Sequence, residues 1–106
     1  MAYDERLADE IRAALAELDV IADERAMFGG LAFLVAGHMA VAASGQGGML
    51  VRCALEDTEA LLREPGATPF RMRGRDMRGW LRVEADDVGP WVRRGVDHAR
   101  SLPPKR

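Results

Sequence analysis

From Asp4 to Leu18 the apolar residues Leu7, Ile11, Ala14, Leu15 and Leu18 recur three and four positions apart, the pattern of a helix that buries one stripe. Asp4 is placed to cap its N-terminus and Glu5 favours the positive end of the helix dipole. Past Asp19 the period changes. Val20-Ile21-Ala22, 25–30 and 31–35 are short apolar runs punctuated by glycine, which read as strands. Gly37-His38 between 31–36 and 39–43 predicts a two-residue hairpin, with Gly37 supplying the positive φ of a type II′ turn. The stretch 44–48 (Ser-Gly-Gln-Gly-Gly) predicts a looser turn into 49–53. Strands apolar at nearly every position need cover on both faces, so helices are expected on one side and a partner or more chain on the other.

Residues 55–63 predict a short second helix, stopped by Pro65-Gly66. Phe70-Arg71-Met72-Arg73 and Gly79-Trp80-Leu81-Arg82-Val83 predict another strand pair, broken at Gly74-Arg75-Asp76. A last helix over 87–101 sets Val88, Trp91, Val92, Val96 and Ala99 on one face before Pro103-Pro104. The expected fold is therefore α+β. It has an antiparallel sheet of about five or six strands, an N-terminal helix, a short middle helix and a C-terminal helix, forming one domain over 1–106.

The chain has 106 residues, 48% apolar and 30% charged, with a net charge of −2, which is ordinary globular composition. The longest apolar stretch, 31–43, is too short to span a bilayer, which takes about 20 residues. No membrane association is expected. The first residues are acidic where a secretory leader would be basic, and Cys53 has no disulfide partner within the chain, so a cytoplasmic protein is expected.

Gly29-Gly30 and 45–48 lie between strands and lack the Gly-Lys-Ser/Thr or strand-to-helix context of a phosphate cradle, so turns or bulges explain them. His38 and His98 lie sixty positions apart with no metal-binding spacing. His38 is expected at the hairpin tip. His98 is expected on the polar flank of the last helix, where the negative end favours its protonated form. Cys53 ends an apolar strand and reads as a small buried hydrophobe, with Arg52 on the opposite face. No catalytic set, metal site or cofactor is expected, and so no enzyme.

The charge is uneven. Residues 1–52 carry a net −4 and residues 53–106 a net +2, and within 71–82 five arginines face one Asp76, a net +4. Arg71, Arg73, Arg75, Arg78 and Arg82, with Trp80, are the candidate partner- or anion-binding residues, since guanidinium forks suit carboxylate and phosphate. Alternation puts Arg71 and Arg73 on one strand face, opposite Phe70 and Met72, and Arg82 on the side of Trp80. The alternative reading is a solvated sheet face paired with acids from the helices.

Met27-Phe28-Gly29-Gly30, the apolar hairpin through Gly37, the stretch 74–83 (Gly-Arg-Asp-Met-Arg-Gly-Trp-Leu-Arg-Val), and then Trp91, Gly95, Ala99 and Leu102-Pro103 resemble the N-terminal domain of the TfoX/Sxy family. The resemblance runs from Tyr3 to Pro104. It implies an α+β domain with a non-enzymatic role, because the named members are bacterial competence regulators that act on transcription beside a cAMP-receptor-type activator. Those members have two domains, so this reading expects a stand-alone N-terminal unit. The family motif brings no catalytic or ligand residues. Met27 and Phe28 are expected in the core and Gly29-Gly30 at a bend or bulge. A protein partner acting by surface contact is expected. The doubly apolar strands also suggest a two-fold homodimer, and direct nucleic-acid binding through 71–82 is the alternative, opposed by the net negative charge.

Overall fold

The computed structural model describes residues 3–27 and 29–104. Helix α1, Glu5–Glu17, buries Ala8, Ile11, Ala14 and Leu15. The Asp4 carboxylate caps it, accepting from the backbone N–H of Arg6 at 2.9 Å and of Leu7 at 3.4 Å. At its other end Asp19 takes a positive φ of 57°. There the N–H of Asp19 donates to the Ala16 carbonyl and that of Val20 to the Leu15 carbonyl, which satisfies carbonyls the helix leaves unpaired.

Six strands follow: β1 Asp23–Met27, β2 Gly30–Val35, β3 His38–Ala43, β4 Met49–Arg52, β5 Ala67–Met72 and β6 Arg75–Val83. They form one sheet in the order β1-β2-β3-β4-β6-β5, with every neighbouring pair antiparallel. The first four make a meander. Between β4 and β5 run a 3-10 turn, Leu55–Asp57, and the one-turn helix α2, Thr58–Leu61; helix α3, Gly89–Ser101, closes the fold. The expected α+β class, with its three helices, is what the chain adopts.

Helices α1 and α3 lie on one face of the sheet, where Ile11, Leu15, Trp91, Val92 and Val96 meet Phe33, Val41, Met49, Val51, Leu81 and Val83. On the other face Ala32, Leu34, Met39, Ala42 and Leu50 form a second cluster, packed by Met27, Phe70 and Trp80. This explains why β2 and β3 are apolar throughout: successive side chains point to opposite faces and both faces are covered. More of the chain itself supplies the second cover.

In β3 one extra residue opposes β2. Phe33 pairs with Val41 and Leu34 with Met39, which leaves Ala40 as a bulge. Helix α3 crosses this point through Gly95, where a Cβ would run into the Ala40 carbonyl oxygen and stand 2.8 Å from Val41 Cγ1. Only glycine allows the helix that close.

Several local expectations are corrected. The β2–β3 turn is Ala36-Gly37, with φ of 54° and 84°. Two positive values mark a type I′ turn, not II′. Alanine at a left-handed position is the reason the turn was placed one residue late. His38 therefore begins β3 instead of capping the turn, is buried, and its Nε2 lies 2.6 Å from the Pro103 carbonyl oxygen. Likewise Arg73-Gly74, with φ of 52° and 77°, turns β5 into β6, so Arg75 and Asp76 are strand residues. Gly29 belongs to the β1–β2 connection and Gly30 already pairs with Met27, which is half-buried against the second cluster. The core position expected for Phe28 lies outside the described residues.

Candidate functional site

The candidate arginines ride on the β5–β6 hairpin, and its backbone decides where they go. Strand β5 is an edge, which suits Pro69, a residue with no N–H to give an outer neighbour. Pairing is regular from Ala67↔Val83 to Pro69↔Leu81 and resumes at Arg71↔Asp76 and Met72↔Arg75. Residues 77–80 of β6 thus stand opposite Phe70 alone. Gly79 takes the strain with a φ of 87°. Its N–H donates to Thr58 Oγ1 at 2.9 Å, and its carbonyl accepts from the Cys53 N–H at 2.9 Å, so the irregular stretch is tied to the turn after β4.

The strip of five arginines is consequently divided. Arg71 Nε donates to Asp76 Oδ1 at 2.7 Å, with both side chains exposed. Arg73 sits in the turn and Arg75 beside it, both exposed, and among the described residues neither has an ion pair or hydrogen bond from its side chain. A cleft of about 260 Å³ adjoins this tip, lined by Ser44, Gln46, Leu50, Phe70 and 71–73. Arg82 is turned away from solvent partners: its guanidinium donates to the carbonyl oxygens of Gln46 at 2.7 Å and Gly47 at 2.6 Å, pinning the β3–β4 loop to β6. It shares the second sheet face with Trp80, as alternation requires.

Arg78 and Trp80 belong to a different place. The Trp80 ring packs near Phe70, with centroids 6.2 Å apart, and carries the Arg52 guanidinium 5.6 Å from its centroid. Arg78 reaches the Leu55 carbonyl at 3.5 Å. Together with Cys53, Glu56, His98 and Leu102 these residues line a cleft of about 370 Å³ where β4 ends. Arg52 entered the sequence reading only as a residue facing away from Cys53, because nothing in its spacing links it to residues 78–80 or to His98.

Burial pushes the Cys53 thiol up, and the Thr58 hydroxyl 3.7 Å away works weakly against this. The thiol stays protonated. His98 was expected to favour its charged form; instead burial first and Arg52 second hold its imidazole below the usual range, with Glu56 and Asp57 pulling the other way. The cost of desolvating a half-buried ring outweighs the helix dipole here. Among the described residues no three His, Cys, Asp or Glu side chains are grouped to hold a metal ion, and no helix is long and apolar enough to cross a membrane.

A family model described as the TfoX N-terminal domain matches residues 13–99. No curated protein and no solved structure matches the chain. The matched span reaches from within α1 to the last turns of α3 and takes in all six strands, the bulge at Ala40, Gly95 and the whole β5–β6 hairpin. With most of its length and every strand inside that match, the chain belongs to the TfoX N-terminal domain family, a non-catalytic family of regulatory-type domains.

Proposed function

We propose that the protein is a regulatory interaction module that docks an acidic segment of a protein partner on the tip of the β5–β6 hairpin. The observation that carries this is the pair Arg73 and Arg75, exposed and without side-chain partners among the described residues, beside a cleft floored by Leu50, Phe70 and Met72. A type I′ turn holds the two guanidiniums on a stiff ribbon, so little backbone entropy is lost on binding. Arg71 joins them by exchanging Asp76 for a carboxylate of the partner. Family membership supports a role in transcription, with competence as its narrower form.

Nucleic acid on the same arginines is the competing reading, and the net charge of −2 opposes it. Fluorescence anisotropy with a glutamate-rich peptide and with a duplex oligonucleotide, each across a salt series, separates the two. Two exposed charge contacts at about 0.7 kcal/mol each amount to about tenfold, so Arg73→Ala/Arg75→Ala should weaken the peptide about tenfold. Equal peptide binding by the double variant refutes the proposal. Tighter binding to the duplex, with a steep loss on added salt, installs the competitor instead.

A further inference from the structure

We infer that the cleft at the end of β4 is a second binding site, for a small organic anion: a carboxylate carried on a planar or apolar body. It is separate from the hairpin tip and does not depend on what binds there. Its volume of about 370 Å³ lies at the small end of ligand sites, which run from about 300 to 1,000 Å³. The walls come from four parts of the chain. Strand β4 brings Arg52 and Cys53, the 3-10 turn brings Leu55 and Glu56, the irregular part of β6 brings Arg78, Gly79 and Trp80, and the end of α3 brings His98 with Leu102. An extra-residue kink commonly re-aims a side chain, and the positive φ of Gly79 is what sets Arg78 against Leu55.

Charge and shape select the ligand. The Arg52 guanidinium lies over the Trp80 ring, 5.6 Å from its centroid, and among the described residues its N–H groups have no carboxylate or carbonyl partner. Its planar fork of donors, with the ring beside it, suits a two-oxygen acceptor. Arg78 spends one donor on a long 3.5 Å contact and among the described residues is otherwise unpaired. Against these two cations the walls set the single carboxylate of Glu56, which is exposed. The lining also has an apolar side, in Trp80, Leu102 and Leu55; Leu55 is 60% exposed, an unusual position for a leucine unless something covers it. His98 lines the same cleft: burial first and Arg52 second lower its imidazole, His38 adds to this, and Glu56 and Asp57 resist. A bound anion would cancel the Arg52 contribution.

The test uses the whole chain and three probes: benzoate, inorganic phosphate and benzyl alcohol, which carry charge with a ring, charge alone and a ring alone. The readout is the Trp80 indole N–H resonance, assigned with Trp80→Phe, followed together with the titration of His98. Benzoate should shift the Trp80 signal saturably and move the His98 midpoint to higher pH; phosphate should bind more weakly, and benzyl alcohol should give no saturable shift. Arg52→Gln should weaken benzoate about tenfold or more, the low end for a charge-assisted hydrogen bond. If Arg52→Gln disturbs folding, Arg78→Gln on the exposed rim tests the same point. Arg93→Gln, exposed on α3, should leave benzoate binding unchanged. A non-saturable benzoate shift, or one that survives both Arg52→Gln and Arg78→Gln, overturns the site and leaves the Arg52–Trp80 contact as a structural strut. Phosphate binding as tight as benzoate would overturn the requirement for an apolar body.

Discussion

Replacing Gly95 by alanine tests how α3 is seated. The added Cβ would run into the carbonyl oxygen of Ala40 and stand 2.8 Å from Val41 Cγ1 and 3.0 Å from the Ala40 carbonyl carbon. Strand β3 lies inside the sheet, bonded on both sides, so the helix has to yield. Any retreat also loosens Trp91, Val92, Val96 and Ala99, all buried on the same helix face. Overpacking of this kind costs about 1–3 kcal/mol. A helix-interior alanine recovers about 1 kcal/mol of propensity over glycine. Because the obstruction is backbone and four core side chains follow the helix, the cost falls at the upper end of that range, about 3 kcal/mol, which leaves a loss of about 2 kcal/mol net. For a domain of this size that lowers the melting temperature by about 10 °C. Urea denaturation followed by far-UV circular dichroism measures it, with Arg93→Ala, exposed on α3, as the control that should stay within about 0.5 kcal/mol. A Gly95→Ala variant as stable as the parent, or more so, would show that helix propensity governs and that the close crossing at the bulge is not a constraint.

Three further outcomes follow from other contacts. Thr58→Val removes the hydroxyl that accepts from the buried Gly79 N–H, and stranding that donor should cost about 1–3 kcal/mol in the same urea assay. Since burial keeps Cys53 protonated, the native protein should resist a thiol-specific reagent at neutral pH and label rapidly only on unfolding; fast native labelling would contradict its placement. Glu24 accepts two hydrogen bonds of 2.7 Å from Arg12, which holds its carboxyl below the ordinary range. A depressed carboxyl contributes stability above its unfolded pKa and loses it as pH falls through the folded one. The parent should therefore exceed Glu24→Gln in stability above about pH 4.5, by no more than about 0.5 kcal/mol because both side chains are well solvated, and acid unfolding profiles should show that difference shrinking as pH falls below about 4.5.

What the sequence reveals of the fold is what local physics controls. The three- and four-residue spacing along α1 and α3, the Asp4 cap and the glycine-bounded apolar runs carry the element order, because each depends on near neighbours. The errors share a cause: Ala36 and Arg73 adopt left-handed conformations that their side chains disfavour, with φ of 54° and 52°. Propensity places a turn on the nearest permissive residue. At β2–β3 the strand register, fixed by burial on both faces, overrules it and moves the turn one position earlier, while at the exposed β5–β6 tip the pairing of Met72 with Arg75 leaves Arg73-Gly74 as the turn. Placing His98 on a polar flank fails in a similar way, since its surroundings are set by burial, by Arg52 and by the 3-10 turn, the last two far from it in sequence.

The arginine strip shows why charge counted along a chain is a poor guide to charge gathered in space. A net +4 over residues 71–82 assumes a continuous strand, yet the four residues 77–80 crowd opposite Phe70 and break the alternation. On one side of the break Arg71, Arg73 and Arg75 share an exposed tip with one carboxylate to oppose them. On the other, Arg82 is committed to two loop carbonyls, while Arg78 is carried to a cleft whose second cation, Arg52, comes from β4. The residue that makes this division is Gly79. Its positive φ lets β6 leave regular pairing just where Thr58 and Cys53 can accept and donate to its backbone. A glycine between two strand-like runs reads in sequence as a weak point of a strand. With its partners from the turn after β4 in place, it becomes the joint that separates one row of arginines into two groups with different neighbours, and the two proposed binding chemistries rest on that division.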